Sequence, residues 1–164
     1  MNSKGFTLIE LVVVIVILGI LAATAAPKFI NLKADAQTSV LHGIKAAMES
    51  ASAMVYGKSI VKGNHKEAFH LTNTINIGDG GGLNSDGELL VVYGHPIGIP
   101  DEFQRLLDLD AEFGYVPIGT NFTTFAIYLV ENGVPTSTSD DCIVFYVAAS
   151  GIGERPTFQV NDCV

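Results

Sequence analysis

The chain has 164 residues, 48% of them hydrophobic, and a formal net charge of −8 at neutral pH. This length fits one domain with a buried core, and the acidic balance argues against a nucleic-acid partner, which needs a basic footprint. Only one stretch approaches the run of about 18 apolar residues that a membrane-spanning helix needs, so a multi-span protein is excluded.

That stretch is N-terminal. From Phe6 to Ala26, 21 residues carry a single charge, Glu10. As a helix rising about 1.5 Å per residue they cover roughly 31 Å, close to the hydrocarbon thickness of a bilayer. A lone carboxylate there costs on the order of 2–3 kcal/mol and marks function. Three readings compete. An ordinary secretory signal would use Lys4, the apolar run and the small residues at Ala23–Ala26. Against it, Glu10 heads the apolar region and Pro27 would follow the cut. A plain membrane anchor explains the length but not Glu10. In the third reading a short basic leader is removed after Gly5, and the freed Phe6 amine lies four residues from Glu10. The same amine on a neighbouring copy can meet that acid. A buried charge pair is a good register device, so copies would assemble at the stagger joining Phe6 of one to Glu10 of another.

Gly5-Phe6-Thr7-Leu8-Ile9-Glu10 followed by an apolar helix resembles the class III signal sequence of type IV pilins. Within that family, the run Glu10–Phe29, then Val55-Tyr56-Gly57-Lys58 and Val92-Tyr93-Gly94-His95-Pro96, is most similar to the mannose-sensitive haemagglutinin (MSHA) major pilins. The match is close over residues 1–60 and looser beyond. The resemblance implies that residues 1–5 are a leader, that a prepilin peptidase cuts between Gly5 and Phe6 and N-methylates Phe6, and that Glu10 acts in assembly. It implies an α+β pilin fold, one long N-terminal helix packed on a small antiparallel sheet of about four strands. It implies a homo-oligomer in a helical filament, built by inner-membrane pilus assembly machinery. The precursor would sit in the inner membrane of a Gram-negative bacterium and the product in an extracellular pilus. Surface attachment and biofilm formation follow, with a surface glycan or another biotic or abiotic surface as target. No cofactor and no metal are implied.

Charge divides unevenly. Residues 1–66 hold seven Lys/Arg and three Asp/Glu; residues 67–164 hold two basic residues, Arg105 and Arg155, and fourteen acids. An acidic outer domain is foremost a solubility device. A second use would set Lys28, Lys33, Lys45, Lys58 and Lys62 against acidic faces of neighbouring copies.

Beyond Pro27, apolar residues recur at Phe29, Leu32, Ala36, Val40, Ile44, Ala47, Ala51 and Val55, one helical face. The pattern predicts one helix from about Phe6 to Tyr56, ending near Gly57, with residues 6–26 as membrane span and filament core. At about 76 Å it exceeds what one small head needs, so its N-terminal half must be covered by lipid or other copies. Gly19 and Pro27 bracket a weak segment, since glycine costs about 1 kcal/mol in a helix and proline removes a hydrogen bond. The resemblance implies that this segment melts as the filament forms.

Residues 57–164 form the expected head. The tract Gly78–Gly87 reads as a loop. Asp79, Asn84, Asp86 and Glu88 fail EF-hand spacing because glycine or leucine stands where oxygen ligands belong. Strands are predicted at Glu88–Tyr93, Thr123–Val130, Cys142–Ala149 and Thr157–Val160, with a turn at Glu131–Pro135. Asp101–Leu109 reads as a short helix capped by Asp101, with Phe103, Leu106 and Leu107 inward.

Two cysteines, Cys142 and Cys163, in an exported chain predict one disulfide. In pilins such a pair bounds the variable D-region, here 142–163. Its main expected role is to staple the C-terminal segment to the sheet. His42, His65, His70 and His95 are scattered, no Ser or Cys nucleophile motif appears, and Asn121-Phe122-Thr123 is a weak sequon. No catalytic constellation emerges, and an enzyme is not expected. The alternative to a major pilin is a pseudopilin of a type II secretion system. That machine's major pseudopilin usually carries a calcium site and lacks a terminal disulfide loop, so the cysteine pair and the failed calcium spacing favour a pilin.

Overall fold

The computed structural model describes residues 5–82 and 87–164. Helix α1 spans Leu8–Lys62, 55 residues, about 82 Å at 1.5 Å per residue. It starts at Leu8 rather than Phe6 because Thr7 is its N-cap. The sequence reading ends the helix at Tyr56 on account of Gly57; the structure carries it to Lys62. Gly57 has open space around it, and an interior glycine costs only about 1 kcal/mol. The stop is Gly63, left-handed at φ 87°, whose N–H donates to the carbonyls of Ser59 (2.9 Å) and Ile60 (3.1 Å). The helix is continuous through Gly19 and Pro27.

The buried face of α1 lies beside the predicted one. Of Leu32, Ala36, Val40, Ile44, Ala47, Ala51 and Val55, only Ile44 and Val55 are fully buried, and Leu32 and Val40 are exposed. The side chain of Phe29 lies outside the described residues. The face that meets the head is Leu41, Ile44, Met48, Ser52, Val55 and Ser59, still at helical spacing. Its two serines hide it from a hydrophobic pattern, which selects the neighbouring alanine-bearing stripe.

Among the described residues seven strands follow: β1 Thr74–Asn76, β2 Glu88–Val92, β3 His95–Pro96, β4 Phe113–Pro117, β5 Thr124–Leu129, β6 Ile143–Val147 and β7 Thr157–Asn161. They form two antiparallel sheets, β1-β2-β3 and β4-β5-β6-β7. The predicted α+β architecture and four-stranded sheet are present, but the membership differs. Glu88–Val92 pairs in the small sheet, and Phe113–Pro117, unforeseen, takes the place at the edge. This strand, Phe-Gly-Tyr-Val-Pro, carries a glycine and a proline that mask its β propensity. Gly114 is needed there, since a Cβ would lie 2.4 Å from the Tyr128 ring across the pair.

Helix α2, Pro100–Gln104, is shorter than predicted. Asp101 is not its cap. Ile99 holds that position without a side-chain bond, and Pro100 opens the first turn with its preset φ. Phe103 is fully buried against Phe125 and Tyr146, with ring centroids 4.7 and 4.6 Å away. Leu41, Ile44 and Met48 of α1 join Phe103, Phe125, Ile127, Val144 and Tyr146 in the main core. Val55 closes a smaller cluster with Ile75, Leu89 and Val91. The buried Tyr146 hydroxyl donates to the Pro96 carbonyl at 2.6 Å, tying the two sheets together.

Candidate assembly surfaces

The N-terminal site is built by a capping box. Thr7-x-x-Glu10 places a hydroxyl at the N-cap and a carboxylate three residues on. Glu10 N–H donates to Thr7 Oγ1 at 3.3 Å, while Thr7 N–H (2.8 Å) and Thr7 Oγ1 (2.7 Å) both donate to Glu10 Oε2. Glu10 is therefore folded back on the first turn of α1, one turn from the exposed Phe6. The sequence reading treats Glu10 as an acid in want of a partner; the Thr7–Glu10 spacing already supplied a local one.

The segment Leu8–Ala25 is long and apolar enough to cross a membrane, and none of it is buried against the rest of the chain. Leu8, Leu11, Ile15, Leu18 and Leu21 are all more than half exposed. Thr24 Oγ1 donates to the Leu21 carbonyl at 3.0 Å. Such back-bonding loosens a helix locally, and it falls between Gly19 and Pro27, where proline leaves one carbonyl of the preceding turn without its N–H donor.

At the other end, Cys142 and Cys163 form the disulfide. It joins the residue before β6 to the residue after Asp162, and Cys163 N–H donates to Thr38 Oγ1 of α1 at 2.9 Å. Cys142 N–H donates to the Asp162 carbonyl at 3.2 Å. The bridge thus holds the final strand to both sheet and helix.

Between α1 and the start of β7 lies a cleft of about 640 Å³, lined by Glu49, Ser52, Tyr56, His95, Arg155 and Phe158 among others. Its floor is the stack of Tyr56 on His95, 4.7 Å between centroids. The buried His95 Nδ1 and Ser52 Oγ are 3.0 Å apart. Burial, with Arg155 nearby, holds the imidazole down to about 4, so it is neutral at pH 7. Gly94 is required beneath the stack: its φ is 85°, and a Cβ would meet the Tyr56 ring at 2.7 Å. The sequence reading passes over His95 as one of four scattered histidines. Only the distant Ser52 and Tyr56, one helical turn apart, could have signalled its burial.

Among the described residues no group of three or more His, Cys, Asp or Glu could hold a metal ion. Asn84 and Asp86 lie outside the described residues, and Asp79 pairs with Arg105.

Residues 1–26 match the prokaryotic N-terminal methylation motif. The chain is 50% identical over 54 residues to the type IV narrow pilus major component PilA5 of Thermus thermophilus, covering 33% of this chain and 47% of that one. It is 36% identical over 113 residues to fimbrial protein Q of Moraxella bovis, covering 58% and 72%. It is 36% identical over 89 residues to the type IV major pilin protein PilE of Neisseria gonorrhoeae, covering 44% and 53%. The chain thus spans about half the length of the first and third of these relatives and nearly three quarters of the second. No solved structure matches it.

Proposed function

Because this chain belongs to the type IV pilin family, we propose that it is the major structural subunit of a type IV pilus of the MSHA kind, a polymer and not an enzyme. The observation that carries this is the bare apolar N-terminal third of α1. A segment of 18 residues with no burial in its own chain must be covered by lipid and then by copies of itself. The residue roles follow. Prepilin peptidase removes residues 1–5, cutting after Gly5 and methylating Phe6. The new Phe6 amine of an incoming copy draws the Glu10 carboxylate out of its capping box and fixes the stagger between copies. Gly19 to Pro27 yields as the helix leaves the bilayer for the filament. The precursor waits in the inner membrane of a Gram-negative cell for the assembly machinery, and the product is an extracellular fimbrium for attachment and biofilm formation. The D-region, 142–163, lies on the outer head, where contact with a surface glycan or other surface would occur.

The test is the intact mass of the protein in filaments sheared from cells and sedimented. A chain starting at Phe6, heavier by one methyl and lighter by two hydrogens, supports the proposal. A soluble species starting at Ala26 or Pro27, with none in the sediment, overturns it. Processed protein confined to the envelope, with no surface filament, favours the pseudopilin reading.

A further inference from the structure

We propose that the cleft beside β7 receives the Asp108–Glu112 segment of a second copy of this chain, with Arg155 paired to its carboxylates. The inference rests on the filament reading and adds the head-to-head contact that reading leaves open. Most cations in the described chain already have partners inside it. Lys33 meets Glu131 at 2.9 Å, Lys45 meets Glu49 at 3.8 Å, Lys62 meets Glu88 at 3.5 Å, and Arg105 meets Asp79 and Glu102 at 2.7 and 3.0 Å. Lys58 donates to the Asn76 carbonyl at 3.1 Å. Three of the helix lysines, Lys33, Lys45 and Lys62, are thus paired with carboxylates of their own chain. Arg155 is exposed, has no carboxylate or hydrogen-bond partner among the described residues, and borders a cleft with an aromatic floor. The two acids beside it are engaged: Glu49 by Lys45, and Glu154 by the Ser150 hydroxyl.

The matching surface is on the same molecule. Asp108, Asp110 and Glu112 are exposed and their carboxylates make no hydrogen bond or ion pair among the described residues, in the loop that leads into β4. β4 and β7 are the two edges of the four-stranded sheet, about 14 Å apart at roughly 4.8 Å per strand. They are also reached from opposite ends. Gly114 lies in register with Tyr128, Ile143 and Asn161, whereas Thr157, two residues after Arg155, lies in register with Val147 and Thr124. The cleft and the acidic loop therefore sit at diagonal corners. A contact joining one corner of a copy to the opposite corner of the next is heterologous. Made once per copy with an axial step, it builds an open helical array rather than a closed pair. It also lets heads carrying twelve excess negative charges over residues 67–164 pack side by side with one attraction at each contact.

The experiment is a charge exchange in the full chain, scored by sheared filament yield, with thermal unfolding of each head as the folding control. Arg155→Glu should lower yield about fivefold or more, the scale of one rim ion pair turned repulsive and repeated at every copy. Reversing the loop, Asp108→Arg with Asp110→Arg and Glu112→Arg, should lower it likewise, and combining both sets should restore it. Full yield from Arg155→Glu, or a combined variant no better than Arg155→Glu alone, overturns the pairing. Neither result touches the pilus reading, which fails only if the unaltered chain forms no filament.

Discussion

The Arg105 guanidinium grips the Asp79 carboxylate through two parallel hydrogen bonds, Nε to Oδ2 at 2.7 Å and Nη2 to Oδ1 at 2.8 Å. The same side chain donates from Nη1 to the Glu88 carbonyl (2.9 Å) and to Glu102 Oε2 (3.0 Å). One cation thus ties the start of the glycine tract to β2 and α2. The glycines permit the approach: a Cβ on Gly82, which has φ 91°, would lie 2.2 Å from the Glu88 carbonyl oxygen. Asp79 is held down to about 2 by the Arg105 bonds. Glu102 is pushed up by its burial, against the pull of Arg105.

Arg105→Ala should therefore cost about 3 kcal/mol in head stability, because it leaves Glu102 buried without its cation. Urea unfolding at pH 7 measures it. Adding Glu102→Gln to that variant should recover part of the loss, since no charge then remains buried. Arg105→Lys should behave nearer to alanine than to arginine, because an ammonium cannot make the paired bonds. A loss confined to a few tenths would mean that the network is only a surface decoration.

His95 predicts a pH response. Its folded value of about 4 lies below the ordinary 6.5, so the unfolded chain takes up a proton before the folded one. Stability is full above pH 6.5 and falls as pH drops toward 4, by up to ~3 kcal/mol. The charged and titratable groups packed around it are Arg155, Glu49 and Glu154 in the cleft and His65 against Tyr56. Thermal unfolding from pH 7 to 4 should show the decline in the natural chain. His95→Gln should be less stable at pH 7 but much flatter across that range. Parallel curves for the two proteins would reject the assignment to His95.

The disulfide spans 21 residues of sequence, and closing a loop of that size contributes about 3 kcal/mol in the chain-entropy model. Cys163→Ser should lower stability by that order and free β7 first, since the bridge and the Cys163 N–H to Thr38 bond lie beyond its end. Hydrogen exchange should then show early loss of protection over 157–161. An unchanged melting temperature would contradict this.

What could be read from the sequence follows from what each element depends on. The apolar span is a near-continuous run of Leu, Val, Ile and Ala, and β5 and β6 are runs rich in Val, Ile, Phe and Tyr, so local composition reveals them. The end of α1 depends on which glycine must be left-handed, and Gly57 and Gly63 look alike until the backbone is known. The buried face of α1 contains Ser52 and Ser59, polar residues accepted because they are small, so a hydrophobic pattern misses it. Strand β4 exists because β5 offers it an edge, a reason not contained in its own five residues. The cleft is legible least of all. It joins positions 49–56, 95 and 153–158, which the packing of both β3 and β7 against α1 brings together. The Thr7–Glu10 box, by contrast, was fully present as a spacing of three.

That box separates two roles of Glu10. At the third helical position a glutamine can return the same hydrogen bond to the N-cap N–H, but it carries no charge for a neighbouring amine. Glu10→Gln should thus keep the start of α1 at Leu8 and be processed normally, yet lose filament yield by about tenfold or more, because an uncompensated buried amine would remain at each joint. Glu10→Ala loses both the cap and the charge, so its yield should be no higher, and its first turn should fray by about 1 kcal/mol. Mass spectrometry of membrane and sheared fractions measures processing and yield together, and exchange at residues 7–11 reads the cap. Normal filaments from Glu10→Gln alongside none from Glu10→Ala would assign Glu10 to helix capping and remove charge pairing from the assembly step.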